Sequence, residues 1–251
     1  MDKQNIIYGK NSIIEAILSG ERQINKILIS KSTHCDSKTQ EIINLARSKG
    51  IIFQFVPKEK FTLYSEYPHQ GVIAQISPVK YKDLDEFLDD NNEFKSVVIL
   101  DGVEDPHNVG AIIRTAVCAG YDAVILPSRR NAQVNATVEK SSAGAINHIA
   151  IIQVNSLSST IEKLKKHNYW IIAADAQGKD NYFDIDYCNM SFALIMGGEE
   201  TGVSKNNLNK SDFIVKIPML RNFNSLNVSN AASAIIYESV RQKLQTKKDS
   251  V

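Results

Sequence analysis

Three short segments of the 251-residue sequence place glycine, asparagine, serine and charged residues directly after apolar runs. They are DPHNVGAIIRTA (105–116), IMGGEETGV (195–203) and IPMLRNFNSLNVSNAAS (217–233). These residue types supply hydrogen bonds, charges and close backbone approach, which are what a polar ligand needs. Each segment is therefore a candidate part of a binding or catalytic site.

The first segment predicts a helix that begins near Asn108, which stands where an N-cap is wanted. Gly110 allows close approach of another backbone or of a ligand. The helix is apolar almost all round, and Arg114 is its only charge, so we expect the helix to be buried. A buried guanidinium needs a partner. Arg114 then either meets a carboxylate inside the protein or faces a site where an anion arrives.

The second segment predicts a glycine-rich turn after a buried strand, with two carboxylates, Glu199 and Glu200, inside it. It is not a phosphate-binding loop, because Val203 stands where the phosphate-contacting lysine should be. It also lacks the G-x-G-x-x-G pattern of dinucleotide folds. Carboxylates in such a turn suit a ligand that carries hydroxyls and positive charge. The alternative is a tight strand-to-helix turn with no ligand.

The third segment predicts a helix start with more polar side chains than a cap requires. One of Ser225, Asn227 and Ser229 is enough to cap the helix. The other polar groups need partners if they are buried. The segment is therefore either a cap alone or a cap that also holds a ligand.

From Val97 onward, apolar strands alternate with helices. The strands are predicted at SVVILDGV, DAVILP, AIIQV, YWIIAADA, FALIMG and FIVKIPM, and the final helix at about 228–245. This alternation predicts an α/β domain whose parallel sheet is covered on both faces. Ligands of such folds bind beyond the carboxyl ends of the strands. We therefore expect the three segments to converge there.

The first 77 residues predict a separate small α/β domain. SIIEAIL and SKTQEIINLARSKG have helical periodicity, whereas INKILIS, IIFQFV and GVIAQIS have the character of strands. Residues 78–95 are charged and begin with Pro78, which predicts a linker, although a short helix there could pack on either domain. Residues 96–251 form the second predicted domain.

Composition gives the class of protein but no function. A hydrophobic fraction of 43% and a net charge of +1 are ordinary for a globular protein and favour no class of partner. The N-terminus lacks the features of a signal or transit peptide, and no apolar run approaches the roughly 20 residues of a membrane span. The cysteines are Cys35, Cys118 and Cys188, an odd and scattered set that predicts a reducing cytoplasm. The five histidines lack metal-ligand spacing, so no metal site is expected.

Taken together, in this order and spacing, the three segments resemble the three sequence motifs of the SpoU (TrmH-type) RNA ribose 2′-O-methyltransferases. Near the N-terminus, IIYGKNSIIEAI and HQGVIAQI resemble the small substrate-binding domain of that family. The resemblance implies S-adenosylmethionine as cofactor and RNA as substrate, with a guanosine of 23S rRNA as the target and tRNA as the alternative. It also implies a C-terminal trefoil knot in the catalytic domain and a homodimer. No membrane or DNA partner is expected.

Matched by motif position, the resemblance also implies roles for individual residues. The implied catalytic set is Asn108, Arg114, Glu199, Ser225 and Asn227. The implied cofactor pocket uses the backbones of Gly197, Ile217 and Leu226, together with Gly198, Gly202 and Asn227. A guanidinium is always protonated, so we expect Arg114 to position the ribose hydroxyl with a substrate phosphate and to stabilise developing negative charge, instead of acting as a base.

Basic residues are the candidates for contacts with RNA phosphates. They are Lys26, Lys31, Lys38, Lys58 and the pair Arg129–Arg130. Each is alternatively a solvated surface charge. His69 could stack on or bond to RNA, or it could simply hold a turn.

Two positions depart from the family pattern. Glu200 stands where relatives usually have glycine, and a positive φ there would be costly for glutamate, so we expect an altered turn. Arg221 and Asn222 stand where relatives often have small residues. A second hypothesis follows: a catalytically silent RNA-binding or ribosome-assembly protein, in which Glu200 has disabled the pocket.

Overall fold

The computed structural model describes residues 6–20, 23–33, 36–77, 79–89, 94–129, 131–132 and 134–249, except for the side chains of residues 247 and 249. Cys35, Pro78 and Arg130 lie outside the described residues. The chain divides into two compact units, one drawn from residues 1–79 and 134–147 and the other from 80–133 and 148–251.

The secondary-structure elements alternate along much of the chain. The strands are β1 (Ile6–Tyr8), β2 (Ile24–Ser30), β3 (Phe53–Val56), β4 (Val72–Ile76), β5 (Ser96–Asp101), β6 (Ala123–Pro127), β7 (Ala150–Val154), β8 (Tyr169–Ala174), β9 (Asp180–Asn181), β10 (Ser191–Gly197) and β11 (Phe213–Lys216). The α-helices are α1 (Lys10–Ser19), α2 (Ser37–Ser48), α3 (Leu84–Leu88), α4 (Pro106–Cys118), α5 (Ala136–Ser141), α6 (Leu157–Lys166), α7 (Lys205–Lys210) and α8 (Val228–Asp249). Two 3-10 helices cover Lys58–Tyr64 and Ala145–His148.

The first unit is a four-stranded sheet in the order β1-β4-β2-β3. On one face, α1 and α2 bury an isoleucine-rich core that includes Ile13, Ile27 and Ile42. The other face buries Phe61, Tyr64 and, from the later α5, Ala136. The helices and strands expected in residues 1–77 are present, whereas β1 and the 3-10 helix at Lys58–Tyr64 were not predicted.

The second unit is a seven-stranded sheet in the order β7-β6-β5-β10-β8-β11-β9, with parallel pairing throughout. Strand residues such as Val97, Ile99, Ile171 and Ile195 are fully buried, because helices cover both faces of a sheet of this type. The predicted α/β class with a parallel sheet is confirmed. The short β9 and α7 were not predicted.

The charged stretch 78–95 contains the short helix α3, whose Phe87 and Leu88 belong to the core of the second unit. Asp83 caps this helix by accepting from the backbone N–H groups of Asp85 and Glu86. The Lys95 ammonium donates to the Phe87 carbonyl at 2.7 Å. Of the two possibilities that the sequence left open for this stretch, α3 thus packs as a helix on the second unit.

Among the described residues, no helix is both long enough and apolar enough to cross a membrane.

Candidate functional site

A cavity of about 410 Å³ opens at the carboxyl ends of β8, β10 and β11 in the second unit. Its lining comes from three separate stretches of chain. They are residues 174–176, then Met196, Gly197, Gly198, Glu199 and Gly202, then Val215, Ile217, Met219, Asn224, Ser225, Leu226, Asn227, Val228 and Ala231. The cavity lies where parallel α/β sheets place their ligands, and its volume is within the usual range for small-molecule sites.

The glycine turn after β10 forms one wall of the cavity. The Gly202 N–H donates to the Gly198 carbonyl at 2.9 Å and closes the turn. A Cβ at Gly197 would lie 2.1 Å from the Gly202 carbonyl carbon, and one at Gly198 would lie 2.2 Å from the Gly102 carbonyl oxygen. No side chain fits at either position, so the turn requires glycine at both.

Glu200 does not need a left-handed backbone. Among the described non-glycine residues, positive φ occurs at Gln70, Ala143 and Asn168, and Glu200 is not one of them. The positive φ of this turn falls on Gly202, at 62°. The structure therefore gives no sign of the backbone strain at Glu200 from which an altered turn was expected, and the Glu200 side chain points to solvent.

Asn108 lies inside the first turn of α4, so its predicted role as N-cap is wrong. The cap is Asp105, whose carboxylate accepts from the His107 N–H at 3.0 Å. Pro106 then takes the first helical position, where its missing N–H costs nothing. Asn108 is consequently 8% exposed and free to point its amide toward the other two segments.

Asn227 is the cap of α8, which resolves the three possibilities left open by the sequence. Its Oδ1 accepts from the backbone N–H of Ser229 at 3.0 Å and from the Ser229 hydroxyl at 2.6 Å. Its carbonyl also accepts from the Ala231 N–H at 2.9 Å. This leaves the Asn227 Nδ2 available for contacts outside the helix.

Three side chains, one from each segment, meet in a closed hydrogen-bonded triangle. Asn227 Nδ2 donates to Glu199 Oε1 at 2.6 Å and to Asn108 Oδ1 at 3.1 Å. Asn108 Nδ2 donates to the same Glu199 oxygen at 3.0 Å. A carboxylate that accepts two amide donors is held in one orientation beside the cavity. The expected convergence of the three segments is confirmed in these contacts.

Arg114 is exposed and meets no carboxylate in the described part of the chain, so the first of its two alternatives, a carboxylate partner inside the protein, is not observed. Helix α4 packs against α8, with Thr115 Oγ1 and Ser233 Oγ 3.2 Å apart across the two helices. A stripe of His107, Arg114 and Cys118 remains on the outside. Within the described part of the chain, the Arg114 guanidinium has no hydrogen bond or ion pair, and it does not line the cavity.

The remaining predicted pocket residues line the cavity. Ile217 and Leu226 supply apolar walls, and Ser225 is exposed at the same site. Between the lining residues Met219 and Asn224, the chain leaves the wall, and Leu220 and Phe223 are 98% and 76% exposed.

Two residues that shape the candidate site were missed at the sequence level. Asp175 lines the cavity directly after β8, and the rule that ligands bind at strand ends could have identified it. Asp101 ends β5 and holds the far side of the glycine turn, because its Oδ2 accepts from the Ser204 N–H at 2.9 Å and from Asn207 Nδ2 at 2.8 Å.

The basic candidates for RNA contact lie mostly on the surface. Lys31, Lys38 and Lys58 of the first unit are exposed and Lys26 is half-buried, whereas Arg129 is exposed in the second unit. His69 holds a turn, since its Nδ1 accepts from the Gly71 N–H at 2.8 Å while its ring packs 4.8 Å from that of Phe61. Burial lowers the pKa of His69 below its usual value.

Comparisons with known proteins find two family models that match the chain. The family model of the SpoU rRNA Methylase family matches residues 95–237, and that of RNA 2′-O ribose methyltransferase substrate binding matches residues 6–82. A Staphylococcus epidermidis protein assigned by name to the TrmH family of tRNA/rRNA methyltransferases is 42% identical over 98% of both chains. A protein of the same name from Staphylococcus saprophyticus is 44% identical over 95% of this chain and 96% of its own.

Among solved structures, the SpoU methyltransferase AviRb from Streptomyces viridochromogenes, in complex with AdoMet, has the same fold. It superposes with a TM-score of 0.78 over 97% of this chain and 92% of its own, at 24% identity.

Proposed function

The chain belongs to the SpoU rRNA methylase family, and on that premise we propose that it transfers the methyl group of S-adenosylmethionine to the 2′-hydroxyl of a ribose in RNA. The observation that carries this proposal is the triangle of Asn108, Glu199 and Asn227 beside the cavity. Each corner comes from a different motif, and two of the three side chains line the cavity.

The cavity fits S-adenosylmethionine in size and chemistry. Ile217, Leu226 and Met196 offer apolar surface for the adenine, and the side-chain-free Gly197 and Gly198 let the ligand approach the backbone. Among the described lining residues there are carboxylates but no lysine, arginine or histidine. This charge pattern suits a sulfonium and would repel a nucleoside triphosphate.

When bound, the cofactor would supply an electrophilic methyl group, which the ribose 2′-oxygen takes by in-line displacement as the sulfur leaves with the bonding electrons. The protein mainly has to position that oxygen and help its proton depart. The amides of Asn108 and Asn227 hold Glu199, while Ser225 offers a hydroxyl at the same wall. These groups form the proposed catalytic set together with Arg114.

Arg114 acts as a charge stabiliser in this proposal. Its guanidinium has no partner in the described part of the chain, so it is available to a phosphate of the substrate and to the developing alkoxide. We expect Arg114→Ala to lower kcat by roughly 10²- to 10³-fold while leaving S-adenosylmethionine affinity unchanged. The matched control is Arg241→Ala, since Arg241 is an exposed arginine paired with Glu238 on α8. Activity of Arg114→Ala near that of the control would contradict the assignment.

For the substrate we propose a guanosine of 23S rRNA, with tRNA as the second candidate. The match of the first unit to a substrate-binding family model favours a large RNA, and the exposed Lys31, Lys38 and Lys58 supply charges for phosphates. The test uses radiolabelled S-adenosylmethionine with each RNA in turn. A ribose 2′-O-methyl group protects the adjacent phosphodiester from alkali, so a labelled, alkali-resistant dinucleotide identifies both the RNA and the position.

A catalytically silent RNA-binding protein is the alternative, and the backbone at Glu200 argues against it. Calorimetric titration with S-adenosylmethionine decides the question, because micromolar binding requires a working pocket. Absence of binding both without and with RNA would favour the silent protein.

We further propose a homodimer, a trefoil knot in the second unit and a cytoplasmic location, where bacterial rRNA and tRNA are found. The exposed α4 stripe with Arg114 supports pairing through this face, and the return of α8 to pack against α4 after β11 is compatible with a threaded chain.

Light scattering tests the dimer. A mixture of Arg114→Ala and Asn227→Ala subunits tests whether the site is shared, because hybrid dimers recover activity only if each pocket uses residues of both copies.

A further inference from the structure

The cavity is negatively charged in a chain that is almost neutral overall. Asp175 and Glu199 both line it, and no cationic side chain does so among the described residues, although the chain carries 29 lysines and arginines against 28 aspartates and glutamates. The charge is therefore a local property of this pocket.

Asp175 is held rigidly at the end of β8. Its backbone N–H donates to the Val215 carbonyl at 2.9 Å, and its Oδ1 accepts from the Gln177 N–H at 2.8 Å. Its Oδ2 lies 3.7 Å from the point where a Cβ would project from Gly202 on the glycine turn. This oxygen thus faces the opposite wall of the cavity, and within the described residues it accepts no hydrogen bond.

The carboxylates of Glu199 and Asp175 differ in the number of hydrogen bonds that each accepts from the protein. Glu199 accepts two amide donors, from Asn108 and Asn227, through one oxygen. Within the described residues, the Asp175 carboxylate accepts one hydrogen bond, from the Gln177 N–H to Oδ1, and so Asp175 offers the less satisfied charge to a ligand. A ligand with positive charge gains more from Asp175 than a neutral ligand of the same shape.

We infer that Asp175 is the specificity-determining residue by which the pocket prefers the cationic methyl donor over its neutral product. This inference rests on the proposed function. S-Adenosylmethionine and S-adenosylhomocysteine differ by one methyl group and by the positive charge of the sulfonium. Transfer of the methyl removes that charge, so the attraction to Asp175 is present before the reaction and absent after it. The pocket consequently loosens its hold on the product, and product exchanges for a new donor.

The test measures the affinity of the full chain for S-adenosylmethionine and S-adenosylhomocysteine by calorimetry. Asp175→Asn removes the charge but keeps an oxygen that can accept from the Gln177 N–H. We expect it to weaken donor binding by roughly tenfold and product binding by no more than about twofold. The matched control is Asp180→Asn, an exposed carboxylate on β9 outside the lining, which should change neither affinity.

A second measurement needs no variant. Added salt screens charges to the extent that they are open to solvent, and Asp175 is partly exposed, so wild-type affinity for the donor should fall with salt more steeply than affinity for the product. Equal losses for both ligands in Asp175→Asn, or no loss for either, would overturn the inference while leaving the proposed function standing. Failure of the wild type to bind either ligand, with or without RNA, would instead overturn the proposed function and the inference together.

Discussion

Replacing Asn227 by aspartate separates the two roles of this side chain. Aspartate keeps an oxygen that can accept from the Ser229 N–H and cap α8. It has no amide donor, however, and places a second carboxylate oxygen where the wild-type Nδ2 lies 2.6 Å from Glu199 Oε1. Two donated hydrogen bonds are lost, each worth about 0.5–1.5 kcal/mol. Two like charges about 4 Å apart add roughly 1 kcal/mol of repulsion at this exposed site.

We therefore expect Asn227→Asp to lower the free energy of unfolding by about 2–4 kcal/mol at pH 7, and Tm by about 4–16 °C. Asn227→Ala is the matched control, because it loses the same two donated hydrogen bonds without adding a charge, and it also loses the cap, at a further cost of about 1 kcal/mol. Both variants should bind S-adenosylmethionine at least roughly tenfold more weakly, a loss of about 1.4 kcal/mol.

The pH dependence distinguishes repulsion from simple loss of contacts. Paired carboxylates raise the pKa of one of the two groups in the folded state above its unfolded value. The repulsion in Asn227→Asp is then complete at neutral pH and is relieved as pH falls through the raised pKa, so its Tm should rise relative to that of Asn227→Ala under mildly acidic conditions. Thermal melts across this range provide the measurement. A Tm deficit that is independent of pH would refute the reasoning, as would a variant as stable as the wild type at pH 7.

Three further predictions concern single residues. Gly198→Ala places a Cβ 2.2 Å from the Gly102 carbonyl oxygen. We therefore expect thermal melts to show a loss of about 1–3 kcal/mol in the free energy of unfolding, and calorimetry to show a loss of cofactor binding. A variant as stable as the wild type would contradict the close packing of the turn. Glu200→Gly should leave cofactor affinity unchanged and cost about 0.4–1 kcal/mol through the more flexible unfolded chain, whereas a gain in affinity would show that glutamate does strain the turn. Burial lowers the pKa of His69 in the folded state, so its contribution to stability is complete above its unfolded pKa near 6.5 and is lost as pH falls through the folded pKa. Thermal melts between pH 7 and 5 should show this loss of stability in the wild type and less of it in His69→Gln.

The sequence was sufficient to predict most strands and helices, because the spacing of apolar residues that marks each of them involves only residues near one another in the chain. The runs that became β5, β6, β7, β8 and β10 are continuous apolar stretches, as expected of strands with both faces covered. β9 was missed because two residues are too few to carry a period. Convergence of the three segments followed from the rule on strand ends, which is a property of parallel sheets and not of any single residue.

The errors arose where a property depends on packing. The apolar neighbours of Arg114 left open a carboxylate partner inside the protein, yet Arg114 is exposed, because the buried side of α4 is formed by Val109, Ile112, Ile113 and Ala116, and alanine and cysteine are tolerated on a surface. Asn108 and Asp105 are both good caps, and the position of Pro106 decides between them. Asp175 follows a strand with no motif around it, so only the fold brings it to the cavity.

The order in which the chain leaves the ribosome differs from the order in which its parts can be completed. The first unit needs α5, which is synthesised well after β4, to cover one face of its sheet. The cavity needs the start of α8, beginning at Val228, which follows every strand of the second unit. A nascent chain therefore has no complete cavity until the start of α8 has been made, and a chain that ends before α8 would lack the part of the wall that Val228 and Ala231 supply.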